Sequence, residues 1–360
     1  MRESSFEFLK ALIDAPAVSG YEEPAQQVVA AYVRSFGADV TCDVHANLVA
    51  ADGRSARPRI MLTGHVDQVG MMVRYISDDG FINVTNVGGT IIQYAQRVHV
   101  HTSEGPRLGV IGKKPSMFVK PEDRDKSVEP HEWWIDIGVR SGEECRKLVK
   151  VGDPVTWAAP LEKLADDLIV GPGIDDKISV FAAVEALRRL MEEDAPYTGS
   201  VCALSAVQEE IGCAGAGPAA YSWEPDVAVA VDVWPMVTDI PGTDKARFGE
   251  MSLGKGPILV RGANVNSVLL GQLEAAAEAE GIAVQYCGWP GLTPTDAQAI
   301  YRTRGGIPTA LIGLPQHYLH TPSEVIHLGD LEDTIRLLVA LCRRLTADID
   351  FTQRARIVGE

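Results

Sequence analysis

The chain has 360 residues, of which 46% are hydrophobic and 23% charged, and its formal net charge is −16. This length exceeds that of an ordinary single domain, so we expect one large domain with an insertion, or two domains. The negative charge and the lack of a basic stripe argue against nucleic acid as a partner. No apolar stretch approaches the roughly 20 residues needed to span a bilayer, which argues against a membrane protein.

The N-terminal segment and the cysteines predict a cytoplasmic protein with reduced thiols. The first ten residues carry acids and lack the apolar segment of a signal peptide. No CxxC pair is present, which disfavours both a disulfide framework and a thiolate metal site. The six cysteines are scattered along the chain: Cys42, Cys145, Cys202, Cys213, Cys287 and Cys342.

The N-terminal 67 residues predict two helices followed by short strands. Apolar residues at helical spacing predict a helix over 5–15 and a second helix that ends near Phe36. Short strands are predicted over 39–44 and 47–51. The compact apolar run 59–63 predicts a further strand, which leads into Gly64-His-Val-Asp.

The pattern changes between residues 68 and 167. Alternating runs such as 81–84 and 97–101 lie between turn signals such as Asp79-Gly80. This alternation predicts a small β-rich domain, with a charged loop around 120–131. We therefore predict that residues 68–167 form an inserted domain.

Strands and helices alternate through the remainder of the chain. Such alternation is typical of an α/β fold, with a mostly parallel central sheet flanked by helices. We predict that residues 1–67 and 168–360 together form this domain. The predicted elements are a helix at 176–193, strands at 201–207 and 226–231, a helix at 265–280, a strand at 282–287, a helix near 296–304, a strand at 307–312 and a closing helix at 331–347.

Acids and histidines recur where the predicted strands end or a helix begins. In open α/β sheets, ligands bind outside the carboxyl ends of the strands. Each group alone has an ordinary explanation, such as an aspartate that caps a helix or a glutamate in a solvated loop. Their joint occurrence favours one common site. The groups are His65 with Asp67, Asp175 with Asp176, Glu209 with Glu210, Asp232, and His317 with His320.

These residue types predict a two-metal site. Adjacent glutamates point in opposite directions, so one can bind a cation while the other contacts a water and acts as a general base. An imidazole that binds metal usually has its other nitrogen held by a carboxylate, as His-x-Asp would allow. Nitrogen and oxygen donors suit two divalent ions: zinc first, cobalt or manganese as alternatives. The candidate ligands are His65, Asp232, Asp175, Glu210 and either His317 or His320.

An ordered set of short motifs covers the chain from about residue 8 to residue 340. With this set the chain resembles the tetrahedral (TET) and glutamyl aminopeptidases, dinuclear metallopeptidases of clan MH that also include proteins labelled cellulase-like. The motifs are Ser19-Gly-Tyr-Glu-Glu, Asn47-Leu, Gly64-His-Val-Asp-Gln-Val-Gly, Asp175-Asp-Lys, Gln208-Glu-Glu-Ile-Gly, Val231-Asp-Val, Thr295-Asp-Ala and Tyr318-Leu-His-Thr-Pro-Ser-Glu-Val.

The resemblance implies an activity and a role for each candidate residue. It implies a phosphorylase/hydrolase-like metallopeptidase core, a β-domain used in assembly of a dimer or tetrahedral dodecamer, and removal of N-terminal residues from short peptides. Glu209 would be the general base, and Asp67 would orient His65. The implied metal ligands are a shared Asp175, with His65 and Asp232 on one ion, and Glu210 and His320 on the other.

Several alternatives remain open from the residues alone. The same metals would suit an amidohydrolase, carboxypeptidase or deacylase, and a glycosidase would need two carboxyls flanking a sugar and no metal. A non-catalytic scaffold would not need an unligated Glu209, and Cys213 is interpreted as a small apolar residue and not as a nucleophile. Gln68, Thr293-Pro294 and His317 differ from the commoner family pattern, which leaves the preferred N-terminal side chain open.

Overall fold

The computed structural model describes residues 1–90, 94–119, 132–165, 167–192 and 196–352, so the loop predicted around 120–131 lies outside the described residues. Within these ranges the helices are α1 (Glu3–Asp14), α2 (Glu23–Ser35), α3 (Gly142–Leu148), α4 (Ile174–Glu192), α5 (Ala216–Trp223), α6 (Lys245–Phe248), α7 (Ser267–Glu280), α8 (Asp296–Tyr301) and α9 (Leu328–Arg344). The strands are β1 (Asp39–Cys42), β2 (Leu48–Ala51), β3 (Arg59–His65), β4 (Gly70–Ile76), β5 (Ile82–Val87), β6 (Arg97–Thr102), β7 (Gly105–Gly112), β8 (Trp134–Asp136), β9 (Pro154–Trp157), β10 (Glu162–Ala165), β11 (Leu168–Gly171), β12 (Ser200–Ala206), β13 (Val227–Trp234), β14 (Ile258–Gly262), β15 (Gln285–Trp289), β16 (Thr309–His317) and β17 (Glu324–His327).

One large sheet forms the centre of the molecule, in the order β1-β2-β12-β3-β13-β16-β17-β11-β10, with β14 and β15 added beside β16. Its four central strands, β12, β3, β13 and β16, pair in parallel. The strands on either side of these four pair antiparallel, except that β14 and β15 pair with each other in parallel. The predicted α/β fold with parallel central strands and flanking helices is therefore confirmed.

The central strands are apolar because helices cover the sheet. Every residue of β12 and β13 is buried, which is typical of parallel strands with both faces covered. Helix α4 packs against β3, β12 and β13. Charged side chains of this helix pair with polar partners; for example, buried Glu185 accepts hydrogen bonds from Arg188 and Ser5. No helix among the described residues has the length and apolar character required to cross a bilayer.

Strand β3 and helix α4 are in close contact at Gly64. A Cβ atom at Gly64 would lie 2.5 Å from the Ser179 carbonyl carbon and 2.5 Å from the Val180 nitrogen. These neighbours are backbone atoms, so they cannot rotate away as the end of a side chain would. Only glycine therefore fits at the residue that precedes His65.

Replacing Gly64 with alanine is expected to lower the free energy of unfolding by about 2 kcal/mol, because overpacking forces the helix away from the strand. The matched control is Gly271→Ala in α7, where a new Cβ would meet no described atom within 4 Å. That control should be neutral or slightly stabilising, since alanine favours helix over glycine. Urea denaturation of both variants measures the difference, and equal stability would contradict the proposed close contact.

A closed barrel of six strands, β4-β5-β8-β7-β6-β9, lies beside the sheet. It has its own core of buried side chains, including Met71, Val100, Ile111 and Ile135. The alternating runs 81–84 and 97–101 lie in or at the edge of β5 and β6, as their pattern predicts. Because β3 ends at His65 and the first barrel strand, β4, begins at Gly70, residues 66–69 connect the sheet to the barrel.

Candidate metal centre

The predicted site residues meet at the carboxyl ends of the parallel strands. His65 is the last residue of β3, and Asp232 lies near the end of β13. Asp175 lies at the start of α4, where its backbone and that of Asp176 are not helical, and the peptide bond between them is cis. This placement explains why residues far apart in sequence share one site. Among the other predicted residues, Asp67 follows β3, Glu209 and Glu210 follow β12, and His320 follows β16.

The structure places two groups of potential metal ligands around one shared carboxylate. The first group contains His65, Asp175 and Asp232, and the second contains Asp175, Glu210 and His320. Within each group, the donor atoms lie within 4.8 Å of one another. The predicted ligand set of five residues thus assembles with Asp175 between its two halves.

Short distances connect the two groups. The Nε2 atom of His65 lies 3.3 Å from Asp175 Oδ1, and the Nε2 atom of His320 lies 3.2 Å from Asp175 Oδ2. His320 Nε2 is also 3.3 Å from Glu210 Oε2. Glu209 belongs to neither group among the described residues, but its Oε2 atom lies 3.8 Å from His65 Nε2.

Asp67 holds three parts of this site at once. Its carbonyl oxygen lies 2.9 Å from His65 Nδ1, and its Oδ1 lies 3.5 Å from the same nitrogen. Its carboxylate accepts hydrogen bonds from the Glu209 and Glu210 amides, at 3.0 and 3.2 Å, and from Ser19 Oγ at 2.6 Å. The bonds to the two glutamate amides were not foreseen from the sequence, because they join segments about 140 residues apart.

Glu324 is a second carboxylate that holds backbone amides of the site, and the sequence predicts no role for it. It is buried, and its two carboxylate oxygens accept hydrogen bonds from the Asp175 and His320 amides, each at 2.9 Å. Glu324 therefore links the shared ligand to the late histidine. In the sequence, Glu324 is marked only by its place in the motif that begins at Tyr318.

Of the two candidate histidines, the structure places His320 in a ligand group and His317 outside both groups of the described chain. His317 ends β16, and its Nε2 lies 2.8 Å from Asp239 Oδ1, so it belongs to neither ligand group within the described residues. The chain then turns at Tyr318 and His320, which both have positive φ angles near 60°. This turn returns the chain toward Asp175 and brings the His320 ring to the site.

The charges of the cluster shift the pKa values of its members. Burial raises the pKa of Glu210 to about 7, with Asp175 adding to the effect, and burial also raises the pKa of Asp232. Burial opposes ionisation of Asp175, but hydrogen bonds from His320 and His65 outweigh it and lower its pKa to about 2. Burial likewise disfavours charged His320, yet Asp175 and Glu210 raise its pKa to about 11. The cluster thus contains more carboxylates than histidines, and this excess of negative charge favours a positive charge close to it.

The donor set fits a pair of divalent cations. Imidazole nitrogens and carboxylate oxygens are the ligands that zinc and related metals use, and cations offset the repulsion of crowded carboxylates. The Oε1 atom of Glu210 is buried and has no hydrogen-bond partner among the described residues. A cation bound at Glu210 would provide the missing interaction.

An α/β sheet that gathers two groups of potential metal ligands around a shared carboxylate is typical of a metallohydrolase. The sequence model of the M42 glutamyl aminopeptidase family matches residues 46–337, and the chain belongs to this family. It is 31% identical over 352 residues to the lysyl aminopeptidase of Pyrococcus furiosus, covering 96% of this chain and 99% of the relative.

Solved structures agree with the family assignment. A TET aminopeptidase from a marine sediment Thaumarchaeota archaeon is 32% identical, with a TM-score of 0.91 and coverage of 95% of this chain and 97% of the other. The TET1 peptidase of Pyrococcus horikoshii is 31% identical, with a TM-score of 0.83 and coverage of 95% and 100%. The chain is therefore a metal-dependent aminopeptidase, and the predicted family and activity are confirmed.

Proposed function

We propose that this aminopeptidase holds two divalent cations, one at each ligand group, and cleaves N-terminal residues from short peptides. The observation that carries the proposal is the shared Asp175, which belongs to both groups. Bound there, the cations would polarise the scissile carbonyl and lower the pKa of water. His65 and Asp232 would hold one cation, and Glu210 and His320 the other.

Glu209 is the general base in this proposal. Its Oε2 atom faces His65 across 3.8 Å, while the residue stands outside both ligand groups of the described chain. It would accept a proton from the attacking water and pass it to the leaving amine. Asp67 and Glu324 would position this machinery, because their carboxylates hold the amides of Glu209 and Asp175.

Zinc is the first choice of metal, with cobalt and manganese as alternatives, because the ligand groups offer only imidazole and carboxylate donors. Cys213 lies near Glu209, but burial, followed by the charges of Glu209 and Asp296, raises the pKa of its thiol. It would therefore not compete as a thiolate ligand. Metal analysis of the purified protein tests this choice.

The proposal includes a division of labour along the chain. Residues 1–67 and 168–360 would form a phosphorylase/hydrolase-like catalytic core, and the predicted insertion 68–167 would supply the assembly domain. Strand β10, at the end of that insertion, pairs within the large sheet, so the assembly domain would end with the barrel strand β9. The barrel exposes apolar side chains, including Tyr75, Leu108 and Val110, and the TET1 peptidase of Pyrococcus horikoshii can assemble into a tetrahedron or a large octahedral shell. We propose a homo-oligomer, and sedimentation velocity distinguishes a dimer from a dodecamer. The cytoplasmic location stays a prediction.

An aminopeptidase assay with paired substrates tests the proposal. Metal-free protein is assayed on a panel of amino-acyl chromogenic substrates, alone and with added zinc, cobalt or manganese. A peptide with a free N-terminus and its acetylated form are compared in parallel. We expect cleavage of the free peptide only, and only with metal. Equal cleavage of the acetylated peptide would favour a deacylase, and full activity without metal would reject the two-cation site.

A further inference from the structure

The turn after β12 folds a cysteine back onto the proposed general base. The amides of Gly212 and Cys213 both donate to the Glu209 carbonyl oxygen, at 2.9 and 2.8 Å. Cys213 has a φ angle of 54°, and its Sγ atom lies 3.2 Å from Glu209 Oε1. The thiol therefore donates a hydrogen bond to the carboxylate of the residue four positions earlier.

A second hydrogen bond reaches the same thiol from helix α8. The Nε2 atom of Gln298 donates to Cys213 Sγ at 3.7 Å, within the range for a sulfur acceptor. A chain of donors thus runs from the Gln298 amide through the Cys213 thiol to Glu209 Oε1. The other oxygen of Glu209, Oε2, is the one that faces His65. The Oε1 atom of Glu209 therefore accepts the hydrogen bond from the Cys213 thiol, and the Oε2 atom points toward the proposed metal ligand His65.

The surroundings keep Cys213 in the form that can donate. Burial raises the pKa of its thiol, and the negative charges of Glu209 and Asp296 act in the same direction. A thiolate would have no proton to donate and would repel the carboxylate. A neutral thiol is also a weak donor, so it restrains a carboxylate without greatly reducing its affinity for a proton.

We propose that Cys213 and Gln298 are positioning residues, which orient the Glu209 carboxylate for proton transfer. The proposal rests on the proposed role of Glu209 as general base. Reaction rates depend steeply on the placement of the reacting groups, and a glutamate held at one oxygen samples fewer side-chain rotamers. The geometry gives Cys213 a polar role in place of the small apolar role predicted from the sequence.

The test compares Cys213→Ala with Cys213→Ser. The alanine variant should lower kcat by about threefold to tenfold, the effect expected for one lost hydrogen bond. KM, metal content and melting temperature should not change, because Cys213 contacts no proposed ligand in the described chain. The serine variant should recover most of kcat, since a hydroxyl donates to the same oxygen. A serine variant as slow as the alanine variant would overturn the proposal.

Two further variants test the chain of donors. Gln298→Ala should lower kcat in the natural protein. In a protein that already carries Cys213→Ala it should lower kcat little further, because Gln298 acts on Glu209 through Cys213. Fully additive effects would contradict the relay. Cys42→Ala is the matched control. The thiol of this exposed cysteine donates to the neighbouring Asp43 carbonyl and contacts no residue of the proposed site in the described part of the chain, so its loss should leave kcat unchanged.

Glu209→Gln belongs in the same panel, because it separates the two proposals. If Glu209→Gln keeps full turnover, the proposed role of Glu209 is wrong. If Glu209→Gln is inactive while Cys213→Ala matches the natural protein in kcat, only the positioning role of Cys213 is overturned.

Discussion

Glu209→Gln is expected to lower kcat by at least about a hundredfold while leaving the bound metal in place. General acid–base catalysis contributes roughly 10²- to 10⁴-fold, and a glutamine cannot accept the proton of the attacking water. The substitution preserves the size of the side chain and the bond from the Glu209 amide to Asp67. Steady-state kinetics on an amino-acyl substrate, together with metal analysis, measures both quantities.

The neighbouring glutamate provides the control for this prediction. Glu210→Gln makes the same chemical change one residue later, but Glu210 belongs to the second ligand group. It should lose metal as well as activity. Retention of full turnover in Glu209→Gln, or loss of metal from that variant, would contradict the assignment of roles within the pair.

The general position of the site was predictable because it follows from the fold. Polar residues that end apolar strands must gather at one edge when those strands are parallel, as His65 and Asp232 show. Strand β3 was recognisable as a compact apolar run, and α4 as a long apolar helix pattern. In β3 and α4 the local residue pattern agrees with the final topology, so the sequence was sufficient to predict these elements.

The choice between His317 and His320 depends on backbone geometry that residue chemistry does not specify. Tyr318 and His320 adopt positive φ angles without being glycine, and this turn directs one histidine to Asp175 and the other to Asp239. No local pattern predicts such angles, because they are imposed by tertiary contacts. Only the resemblance to known aminopeptidases selected His320.

The supporting residues were hidden for a similar reason. Glu324 accepts hydrogen bonds from the backbone amides of Asp175 and His320. Every residue except proline has such an amide, so the sequence does not indicate which amides a carboxylate will bind. Strand β17, which carries Glu324, has four residues, and β14 has five. Elements this short give little periodic signal, and although the four-residue strands β1 and β2 were predicted, β14 and β17 were not.

Asp175→Asn is the second substitution with a large expected effect, because it should remove both cations at once. Asp175 is the residue common to the two ligand groups, and an amide binds divalent cations less strongly than a carboxylate. The bound cations would stabilise the transition state by several kcal/mol as Lewis acids. Each 1.36 kcal/mol corresponds to a factor of ten in rate, so we expect a roughly thousandfold lower kcat/KM.

Metal stoichiometry distinguishes this effect from the loss of a single ligand. Asp232 belongs to one group only, so Asp232→Asn should retain about one ion per subunit where Asp175→Asn retains none. Zinc added to metal-free natural protein should raise its melting temperature, because a ligand that binds the folded state stabilises it. The Asp175→Asn protein, checked for folding by circular dichroism, should show no such rise. Two ions per subunit in Asp175→Asn would show that its carboxylate does not bridge the cations.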